Sequence, residues 1–195
     1  MQYIVRFLAR LVFFVLYRVE IVNLHNLPKK GAAILCANHN SEVDMFFIGY
    51  KTKRLIRWMA KEELFKFRPL GFVLSRLGAF PVKRGKADVG AIRKALQLLE
   101  EGHIVGVFPQ GTRTRGQGRN LKAKSGVAML AANSNAPLIP VALEGSAKPF
   151  SKIRVVYGEP YYLNIEKDRK HSNEELNEMS QLILDKIYML LEAGK

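Results

Sequence analysis

Residues 32–44 read Ala-Ala-Ile-Leu-Cys-Ala-Asn-His-Asn-Ser-Glu-Val-Asp. The first six residues form an apolar run typical of a buried strand, and the polar segment after it places His39 five residues before Asp44. On one continuous helix, residues five apart point about 140° away from each other, at roughly 100° per residue. The two side chains therefore meet only if the chain forms a strand, a tight turn and a helix that begins near Val43.

This pair suits general-base catalysis. An imidazole titrates near neutral pH, and a carboxylate that accepts a hydrogen bond from one ring nitrogen leaves the other nitrogen free to take a proton. In this interpretation His39 is the base and Asp44 orients it. The structural alternative is that Asp44 or Ser41 caps the helix over 45–50, and the segment taken alone favours that alternative.

Length and composition indicate one ordinary globular domain. The chain has 195 residues, of which 48% are hydrophobic and 25% charged, values usual for a folded domain with a single core. Its one cysteine, Cys36, excludes an internal disulfide and a cysteine-based zinc cluster. Cys36 lies inside the apolar run and is expected to be a small core residue, and no metal site is predicted.

The charge is strongly positive and unevenly distributed. The formal net charge is +14, and residues 1–160 contain 26 basic and 10 acidic side chains, whereas residues 161–195 contain 5 and 7. A positive field attracts nucleic acid, an anionic membrane surface or a phosphorylated small substrate. Charge alone does not choose among these partners.

The amino terminus predicts a helix that lies in a membrane interface. Nearly every residue over 3–17 is apolar or aromatic, and polar side chains recur every fourth position, at Gln2, Arg6 and Arg10. Seventeen helical residues rise roughly 25 Å, short of the ~30 Å hydrocarbon core, and arginines are costly at its midplane. We therefore expect residues 1–20 to anchor a monotopic protein whose second part, 21–195, is the functional domain. A core helix is the alternative.

The rest of the chain alternates between strand and helix patterns. Apolar strand-like runs recur at 32–37, 54–60, 79–83, 103–108, 138–143 and 153–157. Helical patterns occur at 43–50, 88–101, 124–134 and 172–192, and the last begins with Ser172 and Glu175 at capping-box spacing. This alternation predicts a single-domain α/β fold, with a central mixed sheet flanked by helices.

Two further segments have the composition of anion sites. In Gly78–Gly85, the adjacent cations Lys83 and Arg84 follow a short strand whose Pro81 indicates an edge position or an irregularity. Lysine and arginine at a strand end can hold a phosphate, although a solvated basic turn has the same composition.

The second segment is Phe108-Pro109-Gln110-Gly111-Thr112-Arg113, which follows the strand pattern at 103–108 and opens a loop rich in cations. Glycine lets a backbone N–H approach a ligand closely, and Arg113 can grip phosphate oxygens. A flexible basic loop is the alternative.

Together these segments resemble the glycerolipid acyltransferase family, and within it the 1-acyl-glycerol-3-phosphate acyltransferases. Four family blocks occur in the family's order: N-H-x-x-x-x-D at Asn38, His39 and Asp44; G-x-F-x-x-x-R at Gly78, Phe80 and Arg84; F-P-E-G-T-R at 108–113; and an apolar block with proline at 138–143. Each block is weak alone, but four in order make chance an unsatisfactory explanation.

The resemblance implies transfer of a fatty acyl group from acyl-CoA or acyl carrier protein to the sn-2 hydroxyl of 1-acyl-glycerol 3-phosphate, giving phosphatidic acid. His39 would be the general base, Asp44 its orienter, and no acyl-enzyme would form. The acceptor's phosphate would be bound by Lys83, Arg84, Gly111, Thr112 and Arg113. No cofactor is implied beyond the acyl donor as co-substrate. The expected partners are a lysophospholipid and an anionic membrane surface, at its cytoplasmic face, and not nucleic acid.

One residue departs from the family pattern: Gln110 stands where the family usually has glutamate. Glutamine keeps the size but loses the charge, so any ion pair that positions Arg113 would weaken. The acceptor could then be another lysophospholipid or glycerol 3-phosphate. A non-catalytic protein of lipid surfaces is the alternative from another class.

Overall fold

Seven segments, most of them rich in β-branched and aliphatic residues, form one sheet. The computed structural model describes residues 2–83, 88–114, 121–165 and 170–192. Within these residues the strands are β1 (Arg18–Val22), β2 (Ala33–Ala37), β3 (Ile56–Lys61), β4 (Phe80–Val82), β5 (Ile104–Val107), β6 (Leu138–Gly145) and β7 (Lys152–Tyr157).

Helices occupy most of the connections between these strands. They are α1 (Gln2–Leu16), α2 (Asp44–Gly49), α3 (Glu63–Lys66), α4 (Arg68–Arg76), α5 (Val89–Glu100), α6 (Gly126–Ala132) and α7 (Asn173–Glu192), with one 3₁₀ turn at Leu24–Asn26. The capping box of α7 is confirmed: Ser172 N–H donates to Glu175 Oε2 at 2.8 Å, and Glu175 N–H donates to Ser172 Oγ at 3.2 Å.

The sheet is mixed, as predicted, with the order β1-β7-β6-β2-β5-β3-β4. Strands β2 to β6 are parallel to one another, and β7 pairs antiparallel with β6, so that β7 and its parallel neighbour β1 run in the opposite direction. The carboxyl ends of five strands therefore meet at one edge. β4 is an edge strand, which confirms the position inferred from Pro81.

The two faces of the sheet carry separate cores. One core contains side chains of α5, α6 and α7, among them Ala95, Leu130 and Ile183. The other packs α2 and α4 against Trp58 and Tyr157 of the sheet. Every residue of β2 is buried, as expected for a parallel strand covered on both faces.

The strand and helix patterns predicted from residue 32 onward are confirmed, but β1, α3 and α4 were not predicted. The amino-terminal helix also ends at Leu16, and Arg18–Val22 forms β1 rather than continuing the helix to residue 20. Valine and isoleucine alternate with charged residues there, and they pair in register with β7 from Arg18↔Lys152 to Val22↔Val156.

Helix α1 packs on the domain through one side. Phe13 contacts Phe46 and Phe47 of α2 with ring centroids 5.4 and 5.2 Å apart. Arg10, predicted to lie in a polar stripe, donates hydrogen bonds to the carbonyls of Tyr50 and Thr52. The side chains of Gln2 and Arg6 lie outside the described residues. No helix in the described ranges has both the length and the apolar character needed to cross a bilayer.

Candidate active site

The imidazole of His39 and the carboxylate of Asp44 meet at the carboxyl end of β2. His39 Nδ1 lies 2.9 Å from Asp44 Oδ2, with the histidine 6% exposed and the aspartate fully buried. A carboxylate only accepts, so Nδ1 carries the proton of the neutral ring and Nε2 presents its lone pair. Among the described residues Nε2 has no hydrogen-bond partner.

The remaining contacts of Asp44 bear on the alternative that it caps α2. Oδ2 also accepts from the N–H groups of Asn40 and Ser41, at 2.6 and 2.8 Å, and Oδ1 accepts from Ser41 Oγ at 2.6 Å. Asp44 is the first residue of α2, and the preceding cap position, Val43, provides no side-chain cap. The carboxylate thus turns back toward the loop that carries His39 and does not cap the helix.

Neighbouring segments hold this loop on two sides. Asn38 pairs with the backbone of Leu143 on β6, donating from Nδ2 at 2.8 Å and accepting at Oδ1 at 2.7 Å. On the other side, Thr114 N–H donates to the carbonyl of His39 at 2.8 Å, and Thr114 Oγ1 donates to Asn40 Oδ1. The backbone around His39 is therefore fixed by side chains and backbone from both neighbouring strand ends.

A stack of rings supports the imidazole. The ring of His39 lies on Phe108 with centroids 4.0 Å apart and planes 14° apart, and Phe108 lies on Trp58 at 4.9 Å. Gly106 makes room for this stack, because a Cβ there would approach Trp58 to 2.5 Å. The stack covers one face of the imidazole.

Gln110 lies under the same loop. Its Oε1 accepts from His39 N–H at 3.1 Å, and its Nε2 donates to Tyr188 Oη at 2.9 Å. Among the described residues the ion pair of Arg113 is formed with Glu42, so it does not depend on a charge at residue 110, and the expected weakening of that pair by Gln110 does not apply.

Three predicted anion-binding residues lie beside the pair. Arg113 is half-buried and donates to Glu42 Oε1, while Thr112 is exposed. Gly111 adopts a positive φ of 64°, and its N–H donates to the carbonyl of Phe108 in a tight turn. The turn therefore occupies the N–H of Gly111 itself, and of these three residues only Arg113 carries a positive charge.

Lys83 lies farther away. It follows β4, which is separated from β2 by β5 and β3, so about 14 Å of sheet lies between the two strands at about 4.8 Å per strand. Its backbone N–H donates to Asp88 Oδ2 at 2.7 Å, and its side chain is exposed. Arg84 lies outside the described residues.

Two residues of nucleophile type lie close to His39 in sequence: Cys36 is buried, and Ser41 is hydrogen-bonded. Cys36 lies within β2, where burial raises the pKa of its thiol. The hydroxyl of Ser41 donates to Asp44. Neither side chain is presented for attack on an acyl group.

Some residues of the site were not assigned by the sequence. Trp58 and Tyr188 belong to no block, and the contact of Trp58 with Phe108 joins β3 to the segment after β5. The sequence pointed to this contact only through Gly106, because a glycine inside a strand often marks a place where another group approaches the backbone closely.

The chain is similar in sequence to known acyltransferases. Residues 18–144 match the family model described as Acyltransferase. The chain is 33% identical over 177 residues to the 1-acyl-sn-glycerol-3-phosphate acyltransferase of Bacillus subtilis, covering 87% of this chain and 86% of the relative. It is 27% identical over 185 residues to the protein of that name from Borreliella burgdorferi, covering 91% and 73%.

Among solved structures, the chain resembles the 1-acyl-sn-glycerophosphate acyltransferase of Thermotoga maritima. The TM-score is 0.66 at 22% identity, covering 97% of this chain and 79% of the other. At this identity the likeness describes the fold, and the α/β architecture with its mixed sheet is the same.

Proposed function

This chain belongs to the acyltransferase family, and from that premise we propose that it acylates the sn-2 hydroxyl of 1-acyl-glycerol 3-phosphate to give phosphatidic acid. The acyl donor is acyl-CoA or acyl carrier protein. The similar proteins of Bacillus subtilis and Borreliella burgdorferi are named for this acceptor. The observation that carries the proposal is the buried His39–Asp44 hydrogen bond, with Nε2 left open at the edge where five strands end.

The proposed reaction is direct transfer. His39 Nε2 takes the proton of the acceptor hydroxyl as its oxygen attacks the thioester carbonyl, the C–O bond forms, and the C–S bond breaks. The imidazolium then returns the proton to the leaving thiolate. Asp44 stabilises the imidazolium and fixes its ring. The engagement of Ser41 and the burial of Cys36 support a route without an acyl-enzyme.

Phosphate binding is proposed for the cations near this edge. Arg113 is already ordered by Glu42, which is 77% exposed and can give way to an incoming phosphate. Lys83 and Arg84 would provide further positive charge, with Gly111 and Thr112 shaping the turn beside Arg113. No added cofactor enters this scheme.

We also propose that the protein works on a membrane surface, at the cytoplasmic face, where soluble acyl donors are available. Seven large apolar side chains of α1 are 51–72% exposed: Ile4, Phe7, Leu8, Leu11, Val12, Phe14 and Val15. Helix α4 touches α1 and adds exposed Leu70, Phe72 and Val73. A contiguous apolar face of this kind on a chain with net charge +14 suits an anionic lipid surface.

The first experiment measures product formation by mass spectrometry with purified protein, both donor classes and a panel of acceptors. We expect phosphatidic acid from 1-acyl-glycerol 3-phosphate, and a loss of at least ~100-fold in kcat for His39→Ala. His25→Ala, which removes an exposed histidine after β1, is the matched control.

The same experiment distinguishes the alternatives for the base, for the acceptor and for a non-catalytic protein. Near-normal turnover by His39→Ala would exclude His39 as the base. Preference for glycerol 3-phosphate or another lysophospholipid would change the acceptor. Binding to vesicles with no transfer from either donor would identify a non-catalytic lipid-surface protein.

A further inference from the structure

Gln110 connects two distant parts of the chain beneath the site. Gln110 accepts a hydrogen bond from the N–H of His39, which lies 71 residues away in sequence. It donates a hydrogen bond to the hydroxyl of Tyr188, which lies 78 residues away. Gln110 is 1% exposed and Tyr188 is also buried. Both hydrogen bonds are therefore protected from water, and losing one partner leaves a buried polar group unsatisfied.

The chemistry of the groups sets the direction of both bonds. A backbone N–H only donates, so the amide oxygen of Gln110 faces His39 and the amide nitrogen, a donor, faces Tyr188 Oη. A glutamate here could bond Tyr188 only by accepting from its hydroxyl, and it would add a second buried carboxylate beside His39. Gln110 makes the same connection without that charge.

Helix α7 provides the far end of the connection. It packs against β6 and β2, the strands that flank the loop of His39. Tyr188 lies outside residues 18–144, the range that matches the family model. The position of the catalytic loop thus depends on a helix beyond that range.

We propose that Gln110 and Tyr188 are positioning residues, which act as an amide–phenol bridge between α7 and the backbone of His39. With Thr114 N–H holding the carbonyl of the same residue, both backbone polar groups of His39 are fixed. The imidazole therefore stays oriented toward the acceptor hydroxyl. This inference rests on the proposed role of His39 as the base.

The test compares two tyrosine-to-phenylalanine variants. Tyr188→Phe removes the hydroxyl that accepts from Gln110. Tyr161→Phe is the matched control, because Tyr161 Oη is buried with no hydrogen-bond partner in the described ranges. We expect kcat to fall about 3- to 10-fold in Tyr188→Phe, with KM for the acceptor within about 2-fold, and no change in Tyr161→Phe. Equal kinetics in the two variants would overturn the proposal.

A double-mutant cycle separates a bridge from two independent contacts. Gln110→Leu breaks both bonds, so adding Tyr188→Phe should lower kcat no further. Gln110→Glu still accepts from His39 N–H and should retain more activity than Gln110→Leu. Additive losses, or equal losses in the glutamate and leucine variants, would contradict the bridge. If Gln110→Leu does not fold, the comparison of Tyr188→Phe with Tyr161→Phe still tests the bridge.

Hydrogen exchange provides a readout that needs no turnover. In mass spectrometry of the peptide spanning 38–44, exchange at the amide of His39 should be faster in Tyr188→Phe than in wild type or Tyr161→Phe. Unchanged exchange would count against the bridge. A wild-type protein without acyl transfer would instead refute the proposed function, so the two failures are distinct.

Discussion

At the scale of single residues, hydrogen bonds fix the carboxylate of Asp44 beside the imidazole of His39. Asp44 accepts four hydrogen bonds, counting that of His39, so its carboxylate cannot rotate away from the imidazole. The sequence raised the pair as a hypothesis beside a helix cap, and the ordered family blocks then favoured the pair. It could not predict which donors satisfy Asp44, because these depend on a loop conformation that residues of other strands impose.

Gly106→Ala tests the ring stack that supports His39. The added Cβ would lie 2.5 Å from Trp58, which must then shift against Phe108. We expect a loss of about 1–3 kcal/mol in the free energy of unfolding, measured in urea, and a lower kcat.

Gly126→Ala is the control for that substitution, because a Cβ there meets nothing within 4 Å. It should leave activity unchanged and stability equal or slightly higher, since alanine favours the helix. Similar stability and kcat for both alanine variants would show that the stack does not constrain the base.

At the scale of elements, the short helices and turns set where the charged groups lie. Asp88 caps α5 by accepting from Ala91 N–H at 3.0 Å, and it also accepts from Lys83 N–H at 2.7 Å. These backbone hydrogen bonds, that of Lys83 first, hold the pKa of Asp88 below its usual value. One carboxylate thus joins the end of β4 to the start of α5.

Asp88→Ala should therefore destabilise the protein by about 1 kcal/mol at neutral pH. Because the folded-state pKa is lowered, the stabilisation is complete above the unfolded pKa and is lost as pH falls through the folded one. The difference in unfolding free energy between wild type and variant should shrink below about pH 4.

Asp88→Asn separates the cap from the charge, because asparagine caps as well as aspartate. It should keep most of the stability at neutral pH and show no loss of this contribution in acid. An alanine variant whose deficit stays constant down to pH 2 would contradict the assignment.

Helix α1 provides a second prediction at this scale. Phe7→Ser with Phe14→Ser removes two large exposed side chains. Since burying a phenylalanine contributes about 1.5–3 kcal/mol, partitioning to vesicles of phosphatidylcholine and phosphatidylglycerol should weaken at least ~10-fold. Sedimentation with the vesicles measures this.

The control replaces exposed apolar residues elsewhere. Leu182→Ser with Met189→Ser changes side chains of similar exposure on α7, and it should leave vesicle binding unchanged. Equal weakening in both double variants would mean that α1 is not the membrane-facing element.

At the scale of the whole molecule, the proposed binding to a membrane would draw on both net charge and apolar surface. The net charge of +14 should make vesicle binding sensitive to salt, because screening lengths fall from about 14 Å at 0.05 M to about 4 Å at 0.5 M. We expect binding to vesicles with phosphatidylglycerol to weaken about 10-fold over this range, and to be weak throughout for phosphatidylcholine alone. Salt-sensitive binding to RNA without binding to anionic vesicles would favour a nucleic-acid protein instead.

The sequence by itself determined the α/β class, the strands from residue 32 onward and helices α2, α5, α6 and α7, and it raised the pairing of His39 with Asp44 as a hypothesis. These follow from local periodicity, capping chemistry and ordered motifs, which act over a few residues. It did not predict β1, whose five residues become a strand only by pairing with β7, more than 130 residues away.

Only the tertiary structure decided which groups surround His39. The placement of Trp58 under Phe108, of Glu42 on Arg113 and of Gln110 between His39 and Tyr188 depends on strand order and on the docking of α7. Contacts between residues so far apart in sequence have no local signature, because they are set by the packing of the whole sheet.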